Sequence, residues 1–183
     1  VWTAWREEQN KGERSDTAKL SKLKADFEKK QDECAKLVEN NEFGQAIEQN
    51  GGVGLNASTN AEATQYYFSL PSNKLELWFS LESSRFVDPV LRDFYKEKDV
   101  VMEERRLRTE SNPQGKLIEE FISVAYKSHP YKDPVVGHMS DLQGITKAEA
   151  AAFYKKYYVP TNMAIAVVGD VNPNEVKKLA ETY

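Results

Sequence analysis

A single cysteine, Cys34, stands in the 183 residues, so the chain has no internal disulfide and no cysteine-based zinc cluster. Histidine is nearly as scarce, with His129 and His138 the two of its kind. No apolar run approaches the ~20 residues that cross a bilayer, and Val1–Gln9 lacks the apolar stretch of a signal peptide. A chain without disulfides is compatible with any compartment. An excess of basic charge is also missing. The formal net charge is −4 and the pI is near 5.4, whereas a nucleic-acid surface needs clustered Lys and Arg, so nucleic acid is excluded as the expected partner. What the chain does have is 40% hydrophobic and 30% charged residues, enough for one domain or a piece of one.

The patterning predicts a mixture of helices and strands. From about Ser15 to Glu39, Leu20, Leu23, Phe27, Lys30, Cys34 and Leu37 recur at intervals of three and four, the narrow stripe of a helix that pairs with another helix. Trp2 and Trp5 precede the loop Asn10–Asp16, so this helix reads as one arm of a helical hairpin. The stripe is short and Lys30 interrupts it, which favours packing within the chain over a partner-binding coiled coil. Phe43, Ala46 and Ile47 mark a brief helix ending at Asn50-Gly51-Gly52, where glycine supplies a left-handed cap. The period then changes. Val53–Thr59 and Thr64–Leu70 read as an antiparallel hairpin, and Ser72 with Leu75, Trp78, Phe79 and Phe86 reads as a helix running to Asp88. Further helices are expected over Leu117–Tyr126, from the capping box of Thr146 and Glu149, and from Pro173 onward. Met163–Gly169 reads as a short buried strand. The order is not a regular βαβ alternation, so an α+β layer structure is expected.

Glu97 and Glu104 are the candidates for chemistry. Asp88 as N-cap and Pro89 at the first helical position start a helix on which Val90, Phe94, Glu97, Val101 and Glu104 recur at spacings of four, three, four and three. Two carboxylates on an apolar face are costly unless paired, hydrogen-bonded or bound to a metal. At ~1.5 Å rise per residue their Cα atoms lie about 10 Å apart, so one ion could take one of them with the other in support. The same stretch also reads as an exposed helix laced with i,i+4 ion pairs, and the segment alone favours that reading.

A wider set of segments shifts the balance. Gly51-Gly52-Val53-Gly54-Leu55-Asn56-Ala57-Ser58-Thr59, Tyr66-Tyr67, Glu97-x6-Glu104, His129-Pro130-Tyr131, Tyr157-Tyr158-x-Pro160-x-Asn162-Met163 and Val168-Gly169-Asp170-Val171 together resemble the insulinase/pitrilysin family of zinc metallopeptidases, in particular its bacterial members of the processing-peptidase type. The resemblance implies helices packed on an antiparallel sheet, with residues 1–41 a charged helical insertion and residues 42–183 an incomplete N-terminal insulinase-type peptidase domain. It implies Zn2+ as cofactor, with Glu104 as third ligand and Glu97, one heptad earlier, supporting catalysis beside it. It implies that Asn56, Ala57, Ser58 and Thr59 dock an extended peptide as an added strand. The family's His-x-x-Glu-His motif is absent from this sequence, and neither histidine stands where the motif would. The expectation is therefore a fragment, inactive and poor in zinc by itself, of an endopeptidase acting on peptides or unfolded polypeptides, with the motif upstream of Val1. A homologous second half or partner subunit and a bacterial periplasmic or exported location go with it. The family also holds halves and subunits without the motif, which act as structural or substrate-binding partners. This chain taken literally fits that description too, although a degenerate half has no need of both Glu97 and Glu104.

Overall fold

The computed structural model describes residues 1–37 and 41–183, and the chain divides into two compact units, Val1–Glu42 and Phe43–Tyr183. The first unit is a pair of helices, α1 (Trp2–Gln9) and α2 (Thr17–Ala35), packed on each other. Asp16 caps α2 by accepting from the Lys19 amide. Glu8 is buried and holds the pair together: it accepts from Lys11 at 2.8 Å and from the Asp16 amide at 3.1 Å, and it lies 3.0 Å from Lys19 Nζ. Stacked Trp5 and Phe27 rings, 6.0 Å apart, add the apolar contact. Val38 and Glu39, at the expected end of this helix, lie outside the described residues.

The second unit begins with α3 (Glu42–Gln49) and the hairpin of β1 (Val53–Thr59) and β2 (Thr64–Ser69). Gly51 turns the chain at a φ of 80°, a conformation that favours glycine. Gly52 follows because space forbids anything larger. A Cβ there would sit 2.3 Å from Ile47 Cγ2 and 2.9 Å from Leu70 Cδ2, and Ile47 is the most buried apolar side chain described. The strands pair antiparallel with Asn56 opposite Tyr67 and Thr59 opposite Thr64, after an irregularity between Val53 and Asn56 that accompanies the positive φ of Gly54. Asn60 closes the turn, its side-chain oxygen accepting from the Glu62 and Ala63 amides.

Helices pack around this small sheet, giving the α+β arrangement. They are α4 (Leu75–Val87), α5 (Phe94–Arg105), α6 (Pro113–Ala125), α7 (Met139–Gly144), α8 (Lys147–Tyr157) and α9 (Pro173–Thr182). An aromatic platform joins α4, β2 and α8. The Arg85 guanidinium lies 4.6–5.1 Å from the Phe43, Tyr66 and Phe86 ring centres, Tyr66 and Tyr158 share a hydrogen bond of 2.7 Å, and Tyr154 donates to the Phe86 carbonyl at 3.1 Å. Burial, with the Tyr158 hydroxyl beside it, pushes the Tyr66 phenol above its ordinary range. At the other side Arg105, 6% exposed, donates to both Glu119 oxygens at 2.8 and 3.1 Å and to the Gly137 carbonyl at 2.8 Å. It ties α5 to α6 and to the loop before α7. Gly115 lets α6 come close, since a Cβ there would lie 2.1 Å from the Arg108 carbonyl oxygen.

Three sequence expectations change. The helix expected from Asp88 begins at Phe94 instead: the Asp88 amide bonds to the Ser84 carbonyl and closes α4, and Asp93 precedes α5 without a side-chain cap. The helix expected at Leu117 begins four residues earlier, at Pro113, because Asn112 accepts from the Gln114 and Gly115 amides. Met163–Gly169 forms no strand among the described residues. Met163 is extended, but the run has no strand beside it and Val168 is 94% exposed, so apolar side chains that would serve a sheet face water.

Replacing Arg105 with Met is expected to cost about 2–3 kcal/mol, because it strands the partly buried Glu119; chemical denaturation measures it. Acid should act on the same kind of group. Its three donors hold Glu8 down at about 2, and the Arg105 guanidinium holds Glu119 below the ordinary carboxylate range. Folded values lower than unfolded ones stabilise fully above the unfolded value, near 4.5, and are lost as pH falls through the folded value. Unfolding followed by circular dichroism should therefore show stability flat from pH 7 to about 5 and falling between about 4.5 and 2.

Candidate functional site

The two carboxylates expected to work together stand seven residues apart on α5, and the packed side of that helix is rotated from their line. Lys98 donates to the Gln143 and Ile145 carbonyls at 3.0 and 3.2 Å, and Arg105 is the buried side chain of the helix. Lys98 and Arg105 share a face, as Glu97 and Glu104 do, one position along. Glu97 is exposed, as is Val90, and Glu104 is 40% exposed at its side chain. The Glu104 Oε1 lies 2.9 Å from the Arg108 guanidinium, an i,i+4 pair legible from spacing alone. Arg108 belongs to a π-helical turn, Arg106–Glu110, marked by the Ser111 amide bonding to the Arg106 carbonyl at 2.7 Å. Such turns often sit at functional positions.

Asn56, Ala57, Ser58 and Thr59 all lie on β1 and all are exposed. Their backbone polarity follows from the hairpin. The Asn60 amide bonds across to Ala63, so by strand alternation the amides of Ala57 and Thr59 point away from β2. The Ala57 amide is satisfied by its neighbour, donating 2.8 Å to Asn56 Oδ1. β1 and β2 form a two-stranded sheet, so this outer edge carries no strand among the described residues. α5 makes its main packing with α7 and the π turn, and β1 with β2; the two segments that carry the candidates share no main packing interface.

The metal expectation can be tested against donors. Among the described residues no three His, Cys, Asp or Glu side chains group to hold an ion. His138 Nε2 lies 3.7 Å from Asp133, and His129 Nδ1 accepts from the Tyr131 amide, so both histidines are engaged with their own loops. The residues present do not compose a zinc site by themselves. Sequence reasoning passed over one long-range contact: Tyr131 donates to the Glu62 carboxylate at the hairpin turn. Its 69-residue separation left no local signal.

Residues 33–138 match the model for insulinase, peptidase family M16, and residues 144–183 match that for the peptidase M16 inactive domain. The zinc protease PqqE of Helicobacter pylori is 33% identical over 174 residues, covering 94% of this chain and 39% of that protein. The uncharacterized zinc protease YmfH of Bacillus subtilis is 31% identical over 130 residues, 68% of this chain and 29% of its own length. The crystal structure of a protease from Helicobacter pylori is similar with a TM-score of 0.74 and 34% identity, covering 79% of this chain and 35% of that one. The chain thus spans about two-fifths or less of the length of these relatives.

Replacing Arg108 with Met should change unfolding free energy by less than about 0.5 kcal/mol, since the pair it forms with Glu104 is exposed; urea titration measures it.

Proposed function

The chain belongs to the insulinase family of peptidases, M16, and from that membership we propose that it is part of a zinc-dependent endopeptidase cleaving peptides or unfolded polypeptides. The observation that carries this reading is the alignment of 94% of the chain with a zinc protease at 33% identity. In this proposal Glu104 contributes one carboxylate to the metal, and Glu97, one heptad earlier on α5, supports it. The remaining ligands and the general base come from outside these residues. Arg108 meanwhile takes one Glu104 oxygen and orients the carboxylate.

β1 is the docking strand. An extended peptide laid along its outer edge would take the amides of Ala57 and Thr59 as donors, and the small side chains of Ala57 and Ser58 leave room for close approach. Asn56 has a defined part: its Oδ1 occupies the Ala57 amide until a substrate carbonyl replaces it. The isolated chain is proposed to be inactive, and a homologous second half or partner subunit would complete the enclosure of the substrate.

A second reading is a non-catalytic family half that binds substrate or supports a catalytic partner. The match of residues 144–183 to a domain described as inactive favours it. Metal analysis separates the two. In the full-length protein Glu104→Gln is expected to reduce zinc affinity and peptide hydrolysis by at least about 100-fold, read by metal content after dialysis and by cleavage of a fluorogenic peptide. A full-length protein that retains no zinc before the substitution supports the non-catalytic half and overturns the peptidase.

A further inference from the structure

The His129-Pro130-Tyr131 segment has no part in the reading above, yet its contacts converge on the docking strand. The hairpin of β1 and β2 is exposed along nearly its whole length. Its middle is held by the hydrogen bond of Tyr66 to Tyr158. Its turn is held by Tyr131, which donates to the Glu62 carboxylate. Between turn and loop lies a cleft with Asn60 and Glu62 on one wall and Pro130, Asp133 and Val135 on the other, so the turn is not buried in a packed interface.

Tyr131 is itself fixed before it reaches Glu62. His129 accepts from the Tyr131 amide through Nδ1 at 3.3 Å, which leaves the proton of a neutral imidazole on Nε2. The His129 ring meets the Tyr131 ring edge to face at 4.4 Å, and Tyr126 does so from α6 at 5.8 Å. Pro130 limits the backbone between them. A phenol aimed in this way loses little freedom when it meets a carboxylate, and a hydrogen bond to a charged acceptor is stronger than a neutral one. The Glu62 carboxylate in turn pushes the Tyr131 phenol above its ordinary range.

The geometry points to a clasp: Tyr131 and Glu62 are positioning residues that hold the turn end of the peptide-docking hairpin at a fixed height over the loop that follows α6. The clasp rests on the reading of β1 as the docking strand, and it adds that a substrate running as far as Thr59 feels Tyr131 without touching it. A peptide ending near Asn56 does not. Substrate length is therefore read at the hairpin turn, by residues outside the metal's reach.

Two measurements on the full-length protein decide it. Hydrogen exchange of Tyr131→Phe against wild type should speed the amides of residues 57–66 by about three- to tenfold, leaving those of α8 unchanged. The KM for peptides long enough to reach Thr59 should rise by a similar factor with kcat held, while that of short peptides stays constant. Glu62→Gln, which keeps an acceptor, should recover most of both effects, and Glu62→Leu none. Unchanged exchange overturns the clasp, and so does a KM rise equal for long and short peptides, the mark of a merely structural role. A wild-type protein that cleaves neither peptide removes the docking reading and the positioning role with it, whatever the exchange result.

Discussion

A guanidinium withdrawn from water is the constraint around which the second unit is arranged. Arg105 has its planar fork filled by Glu119 and the Gly137 carbonyl, and a buried cation tolerates few other surroundings. To bring Glu119 there, α6 must approach α5 closely, which requires glycine at 115. To bring the Gly137 carbonyl there, the loop must turn at Gly137, where φ is 83°. One side chain thus sets the distance between two helices and the course of the loop after them. Apolar burial contributes less than usual, for Ile47 and Phe79 are the buried hydrophobic residues described.

The aromatic platform does a similar job with softer forces. Arg85 lies over three rings while pairing with Glu82, and the two tyrosines of α8 and its end, Tyr154 and Tyr158, stack at 4.3 Å. Hydroxyl groups at the rim tie those rings to β2 and to the end of α4. The sheet is therefore supported from one side by rings and cations, while the outer edge of β1 carries no strand among the described residues.

Elements that carry their own boundary signals were legible in the sequence. The Thr146–Glu149 capping box forms as written, the hairpin strands fall at Val53–Thr59 and Thr64–Ser69, and the glycine pair at 51 and 52 ends α3. Elements whose definition depends on a distant partner were not. Asp88 and Pro89 carry every mark of a helix start, but the chain bends there and the Asp88 amide serves α4. Met163–Gly169 has strand composition and lacks a strand to pair with among the described residues. On α5 the period was right and the phase was off by one residue, because Lys98 and Arg105 reach carbonyls and carboxylates that local pattern cannot foresee. The family was legible for a different reason: six short segments in order carry more information than any one side chain's surroundings.

The π-helical turn has a consequence for how this chain tolerates change in length. Five residues span a bond that four would span in an ordinary helix, so the stretch 106–110 holds one residue in excess of regular winding. Removing that residue would let the winding close as an α-helix, yet it would swing everything downstream by roughly 100° about the axis. Glu119 would then leave the Arg105 fork, and the fold would relinquish its tightest junction to gain a more regular backbone.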